Sequence, residues 1–235
     1  MKKVVYITGG TKGIGLGIAK SLVEVGYRVA ISGRNEETAQ KVAEKIGDKT
    51  QIIGLGSDVR KLKDEYKTVS TIIKHFGRLD VVIANAGLGI FDNIRDLEPE
   101  AWHKMIDTNL TGVFNSIKAS VEELISRKGY FISIASLAGI NFFKNGSGYN
   151  ASKFGVVGFT QSVMLDLRTE GVKTTVILPG SVTSNFNNHT PDQQSDRWKV
   201  QPEDMGQLIV DLLAMNPRAL PSKVEIRPTQ TADML

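Results

Sequence analysis

The chain has 235 residues, 41% of them apolar, which is enough to bury a full core; it has no cysteine, which excludes disulfides and thiolate metal or redox centres. Its net charge of +4 comes from Lys and Arg interleaved with Asp and Glu, without a basic block of five or six, so charge gives nucleic-acid binding little support. No apolar run approaches the ~18 residues of a membrane span.

The first residues, Met1-Lys2-Lys3, precede an apolar run too short for the core of a secretory leader, broken at Gly9. A cytoplasmic protein without a membrane segment is therefore expected. Residues 3–7 read as a buried strand, and residues 14–25 as a helix, with Ile14, Ile18, Leu22 and Val25 at helical spacing and Gly26 to end it. Strands at 28–31, 51–55 and 79–84 alternate with helices at 36–46 and 61–76. A long helix over 99–125, a strand at 130–134 and a helix from Tyr149 to about 170 follow. A strand at 172–178, a helix at 202–214 and a candidate last strand at 223–226 complete the series.

The strands are continuous apolar runs, as expected of strands covered on both faces. Alternation with helices predicts a parallel sheet with right-handed crossovers. The chain has no linker, repeat or low-complexity segment, so the expectation is α/β: one domain over 1–235, a doubly wound parallel sheet with helices on both faces. The least regular piece, 181–200, is polar and long enough to serve as a lid over a site.

Tyr149 and Lys153 stand one helical turn apart, so phenol and ammonium share a face. A phenol with a pKa near ~10 is a poor acid–base group at neutral pH, and a cation beside it favours the phenolate. The plain alternative is a surface helix carrying an ordinary Tyr and Lys, so the remainder of the chain has to decide. Thr8-Gly9-Gly10-Thr11-Lys12-Gly13-Ile14-Gly15 lies between the first strand and first helix. Glycines there allow a tight turn and a close approach of main chain to a pyrophosphate, whose charge the helix N-terminus favours.

That turn, T-G-x-x-x-G-x-G, resembles the short-chain dehydrogenase/reductase family, and the likeness extends along nearly the whole chain. Asn85-Ala86-Gly87 is similar to the family's N-A-G element, and Asn109-Leu110-Thr111-Gly112 to its N-x-x-G segment. Ser136 follows the fifth strand, Tyr149 and Lys153 complete a Y-x-x-x-K motif, and Pro179-Gly180 with Val182 and Thr183 resembles the element at the nicotinamide. The resemblance implies a Rossmann-type fold and a nicotinamide cofactor held by Gly9, Thr11, Lys12, Gly13, Ile14 and Gly15, by Asp58-Val59 at the adenine, and by Asn85, Ala86 and Gly87. It further implies that Tyr149 exchanges a proton with a carbonyl oxygen, that Lys153 lowers the phenol pKa and bonds the ribose, that Ser136 holds the carbonyl, and that Asn109 holds a relay water. Ser136 alone would also suit a turn cap, and Asn109 alone a buried polar position.

An acidic residue at the end of strand two bonds the adenosine ribose in NAD binders, and Arg meets the 2′-phosphate in NADP binders. Here that position reads Ser32-Gly33-Arg34, with Lys12 as a second cation, so the expected cofactor is NADP(H). The three histidines, His75, His103 and His189, lack metal-ligand spacing, and no metal site is expected; His189 in the 181–200 loop could meet substrate. No G-x-S-x-G elbow supports a hydrolase.

The ending Pro221-Ser222-Lys223-Val224-Glu225-Ile226-Arg227-Pro228 looks like that of family members acting on 3-hydroxy acids, serine and small carbonyls. The alternative is a 3-oxoacyl-carrier-protein reductase, and a non-catalytic NADP(H) sensor is a further one. The 181–200 loop, with Phe186 and Trp198 its only large aromatic groups, suggests a small or polar substrate. Family members commonly form homodimers or homotetramers through the two long helices, where Val113, Phe114, Ile117, Val121, Val156, Val157, Phe159 and Val163 would serve core or interface.

Overall fold

Seven apolar runs become strands in the computed structural model, which describes residues 2–192 and 194–231. Residues 1 and 232–235 of the expected 1–235 domain, and residue 193 of the expected lid, lie outside the described residues. The strands are β1 Val4–Ile7, β2 Arg28–Gly33, β3 Ile52–Gly56, β4 Val81–Ala84, β5 Tyr130–Ile134, β6 Lys173–Pro179 and β7 Lys223–Ile226. They form one sheet in the order β3-β2-β1-β4-β5-β6-β7, parallel at every pairing. The candidate last strand is thus real, in register with Val176 to Pro179 of β6.

Alternate residues of each strand point to opposite faces, and here both faces are apolar. Val5, Ile7, Val29, Ile31, Ile83 and Ile132 look to one side, where α1 (Gly13–Glu24), α2 (Glu36–Glu44) and α7 (Pro202–Ala214) cover them. Tyr6, Ala30, Val82, Phe131 and Val176 look to the other, under α3 (Leu62–Phe76), α5 (Gly112–Arg127) and α6 (Ser147–Leu167). Each fully buried Leu, Ile or Phe contributes roughly 1.5–3 kcal/mol. The sheet is therefore held from both sides; only the edge strand β7, among the described residues, keeps a polar exposed face, at Lys223 and Glu225.

The order reverses at β1, whose neighbours are β2 and β4. Such a switch point opens a crevice beyond the carboxyl ends of the strands. Local signals fix the helices around it: the Asn35 side chain accepts from Thr38 N–H at 2.7 Å to cap α2, and Gly77, with φ of 82°, closes α3.

One expectation is corrected. The 99–125 helix is not uniform: α4 (Pro99–Ile106) passes through a π-helical turn, Asp107–Thr111, into α5. Such a turn inserts an extra residue and rotates side chains out of helical phase. Asn109 lies in it, fully buried. The helix expected from Tyr149 to 170 begins two residues earlier, at Ser147, and ends at Leu167 before a short 3₁₀ turn. On the two long helices Val113, Ile117, Val156 and Val163 belong to the core, whereas Phe114 is 44% exposed and lies 6.2 Å from the Phe159 ring.

Candidate active site

A cleft of about 1260 Å³ runs along the carboxyl ends of the strands, from the β1–α1 turn to the start of α6. At one end its floor is main chain. Gly9 has a φ of +64° and Gly13 of +53°, values that side chains resist. A Cβ on Gly15 would come within 2.5 Å of Asn85 Nδ2 and 2.6 Å of the Gly9 carbonyl oxygen. The turn is thus packed from behind and open in front, a cradle for a phosphate at the N-terminus of α1.

The β4 loop is tied to this turn. Asn85 Nδ2 donates to the Thr8 and Gly9 carbonyls at 2.9 and 3.1 Å, and the Thr8 hydroxyl accepts from Asn85 and Ala86 N–H, both at 3.0 Å. The Asn85 amide is therefore spent on fixing the turn, and Asn85, Ala86 and Gly87 all line the cleft.

Beyond the turn lie Gly33, Arg34, Asp58 and Val59. Arg34 and Lys12 are both exposed on the cleft wall, and neither enters an ion pair among the described residues. Asp58, in contrast, is clasped by Arg60 at 2.6 Å, and that guanidinium holds its carboxyl below the usual range. Arg60 also lines the cleft, and the sequence reading overlooked it; its signal was its place two residues beyond Asp58.

At the other end stand Ser136, Tyr149 and Lys153. Ser136 follows β5 directly; its Oγ accepts from Ala138 N–H at 3.1 Å, so it is a turn cap as well as a cleft residue. Tyr149 and Lys153 occupy the first turns of α6. Asn150 anchors that end, its amide donating to the Ala138 and Asn141 carbonyls at 2.7 Å each. Lys153 Nζ donates to the Ile134 carbonyl at 3.0 Å and lies 5.8 Å from the centre of the Tyr149 ring.

Asn109 reaches this group from behind. Its amide donates to the Leu88 carbonyl at 2.8 Å and to Ser152 Oγ at 2.9 Å, and its Oδ1 accepts from Leu88 N–H at 2.8 Å. Ser152 in turn donates to the Tyr149 carbonyl at 2.7 Å. Both amide hydrogens are engaged, so a relay water would have to be held by other atoms of the residue. What the side chain does here is position the β4 loop against α6.

Burial dominates the electrostatics. It pushes the Tyr149 phenol up to about 12, and the Ser136 side chain is the influence that opposes it. Burial also lowers the Lys153 ammonium to about 8. The lowering of the phenol expected from Lys153 is not found: desolvation raises it, and the ammonium is turned onto the Ile134 carbonyl. Lys153 remains mostly charged at neutral pH.

The 181–200 loop borders the same end. Its base is closed by Thr183 N–H donating to the Val200 carbonyl at 2.9 Å, with Gln201 Nε2 bonding the Thr183 hydroxyl at 3.0 Å. Thr183 is thus buried in the loop's own base, and Val182 and Ser184 face the cleft in its place. Gly15, Asn109 and Thr183 are the expected site residues that do not line the cleft; Pro179, Gly180 and the others do. Within the loop His189 Nε2 meets Asp196 at 2.6 Å, and Lys199 bonds the same carboxylate. His75 and His103 are exposed, and among the described residues no cluster of metal-ligating side chains occurs.

The sequence reading also missed Phe91 and Phe143, which line the cleft beside Tyr149. Their sole sequence signal was their place in the loops after β4 and β5.

A family model described as short chain dehydrogenase matches residues 3–195. An uncharacterised oxidoreductase of Staphylococcus epidermidis is 30% identical over 228 residues, covering 97% of each chain. One of Staphylococcus saprophyticus is 31% identical over 229 residues, covering 96% of this chain and 97% of its own. Among solved structures, the alcohol dehydrogenase of the archaeon Thermococcus sibiricus complexed with 5-hydroxy-NADP superposes with a TM-score of 0.91 at 26% identity, covering 97% of each chain. The closed form of a serine dehydrogenase complexed with NADP⁺ gives 0.88 at 26% identity, covering 97% of this chain and 96% of its own.

Proposed function

The chain belongs to the short chain dehydrogenase family and is an oxidoreductase of that family, and on that premise we propose that it interconverts a small carbonyl compound and its alcohol with NADP(H). The observation that carries the reading is the convergence of Ser136, Tyr149 and Lys153 at one end of a cleft whose other end is a main-chain cradle. The residues fit a dinucleotide: Gly9 and Gly13 bring main chain to the cleft at positive φ, and Lys12 in that turn and Arg34 beyond it are exposed and enter no ion pair among the described residues. When bound, the nicotinamide supplies or accepts the hydride.

The protein's part is the proton and the geometry. Tyr149 gives its phenolic proton to the carbonyl oxygen, and takes it back in the oxidative direction. Ser136 donates a hydrogen bond to that oxygen, and Lys153 holds a positive charge beside the phenol that offsets the penalty of forming a buried phenolate. Asn109 acts through Leu88 and Ser152 as a positioning residue.

Arg34, Lys12 and the absence of a carboxylate at Gly33 favour NADP(H) over NAD(H). Two of the similar solved proteins carry NADP-type ligands, which supports this reading without separating it from NAD(H). The small-alcohol reading over the acyl-carrier one rests on the sequence of the C-terminal segment, which the ladder of β6 and β7 seats beside the cleft, the Ile226 carbonyl accepting from Gly180 N–H at 2.8 Å. The half-exposed Phe114 and Phe154 on the two long helices suit a homodimer or homotetramer. Oxidation of NADPH with a panel of small ketones and aldehydes, and reduction of NADP⁺ with the alcohols, tests the activity; no turnover with any pair would refute it.

A further inference from the structure

Three phenylalanines from three separate loops gather at the Tyr149 ring. Phe91, after β4, meets it edge-on with ring centres 5.4 Å apart, and Phe186, after β6, lies 5.5 Å away. Phe143, after β5, packs edge-on behind Phe91 at 5.5 Å. With Leu88 and Ile90, Phe91 and Phe186 join Tyr149 in an apolar cluster of its own, distinct from the two cores that cover the sheet.

The fold does not require this cluster. Loops at this edge are ordinarily polar, because they run over the surface. Here Phe91 and Phe186 are only partly buried and Phe143 is 46% exposed, all of them on the cleft wall. Apolar area left facing a cleft gains roughly 25 cal/mol per Å² when an apolar ligand covers it. The polar composition of residues 181–200 is thus misleading about the part that matters: the residue of that loop in contact with Tyr149 is Phe186.

The charges of the 181–200 loop and of Lys153 point the same way, while Lys104 of α4, which also lines the cleft, is exposed to water. A carboxylate set among these rings would lose its water and face the negative side of the aromatic quadrupoles. The two basic groups that the loop brings to the cleft, His189 and Lys199, are both engaged by the buried Asp196. Lys153 is turned onto the Ile134 carbonyl. We propose that the substituent on the substrate's carbonyl carbon is an uncharged apolar group, an aryl or bulky alkyl chain, received against the cleft side of Phe91 and Phe186, whose rings touch each other with centres 6.2 Å apart. The proposal rests on the reading of Tyr149 as the proton donor. Phe186 lies over the phenol, so an entering apolar group exchanges one hydrophobic contact for another.

Two methyl ketones of matched length test it with NADPH: 4-phenyl-2-butanone, and 4-oxopentanoate, which carries a carboxylate in place of the phenyl group. The phenyl ketone should show the higher kcat/KM, by about tenfold or more. Phe186→Ala and Phe91→Ala should each raise KM for the phenyl ketone more than for the oxo acid, with circular dichroism reporting an intact fold. Equal or better use of 4-oxopentanoate, or variants that shift both substrates alike, would overturn the proposal and leave the proposed activity standing. Failure of every carbonyl tried, both of these included, would instead overturn the activity itself and this inference with it.

Discussion

The two ends of the cleft are built by different means. The end over β1 to β3 is main chain: a glycine turn whose shape is set by positive φ angles at Gly9 and Gly13 and by the close packing of Gly15 against Asn85 and the Gly9 carbonyl. The end over β5 and α6 is side chain: Tyr149, Lys153 and Ser136 with Phe91, Phe143 and Phe186, contributed by three loops. A main-chain site tolerates no added atom, and a side-chain site tolerates substitution at the cost of altered chemistry. Substitutions should therefore separate binding of the dinucleotide from turnover.

The largest effect is expected at the main-chain end. Gly15→Val would drive methyl groups into Asn85 and the Gly9 carbonyl, costing about 3 kcal/mol of stability. It should also weaken NADPH binding by about 100-fold, since the turn must move. Thermal unfolding and NADPH fluorescence titration check both, and wild-type affinity in this variant would show that the cradle is not where the dinucleotide binds. Asn109→Ala tests the strut between the two ends. It leaves the partly buried Leu88 groups without that partner, for a loss of about 1–2 kcal/mol in urea unfolding; turnover should fall further than NADPH binding.

Lys153 gives a prediction in pH. Its folded-state pKa of about 8 lies below the ordinary 10.5, so between those values the unfolded chain binds more protons and stability rises with pH. The burial penalty is constant below pH 8 and is relieved towards pH 10, where it amounts to roughly 2 kcal/mol or more. Above pH 10 the trend turns, because Tyr149 stays protonated up to about 12 in the fold while the unfolded phenol ionises near 10, so the unfolded state then holds fewer protons. Urea unfolding of wild type and Lys153→Met from pH 7.5 to 10 should show the wild type gaining on the variant. Parallel curves would contradict the burial account.

The smallest effect lies at the rim. Arg34→Asp removes a charge-assisted contact of about 1.5–2 kcal/mol, so the NADPH dissociation constant should rise by about 10–30-fold. The NADH constant should stay level or improve. Unchanged values for both would remove Arg34 from the site.

The contrast between the two ends also explains what was legible in the chain. Residues 8–15 announce themselves by spacing, because a main-chain cradle can be made only with glycine at fixed positions. The first six strands follow from apolar runs that must be covered on both faces, whereas the order of the strands is set by pairings between distant segments. Tyr149 and Lys153 were legible as a pair at i and i+4, but the direction of the phenol's pKa was not, since burial by Phe91 and Phe186 depends on loops some 60 and 40 residues away. The π-helical turn at Asp107–Thr111 was hidden for a related reason. Nothing periodic marks it, and the partners of the Asn109 side chain within it, Leu88 and Ser152, lie in distant segments.

The central claim is that Tyr149 moves the proton while other groups hold the dinucleotide. Tyr149→Phe, with NADPH affinity and steady-state turnover measured on the same preparation, tests it most directly. Affinity should stay within about twofold of wild type while turnover falls by at least ~100-fold. Turnover preserved with the phenol gone would contradict the account.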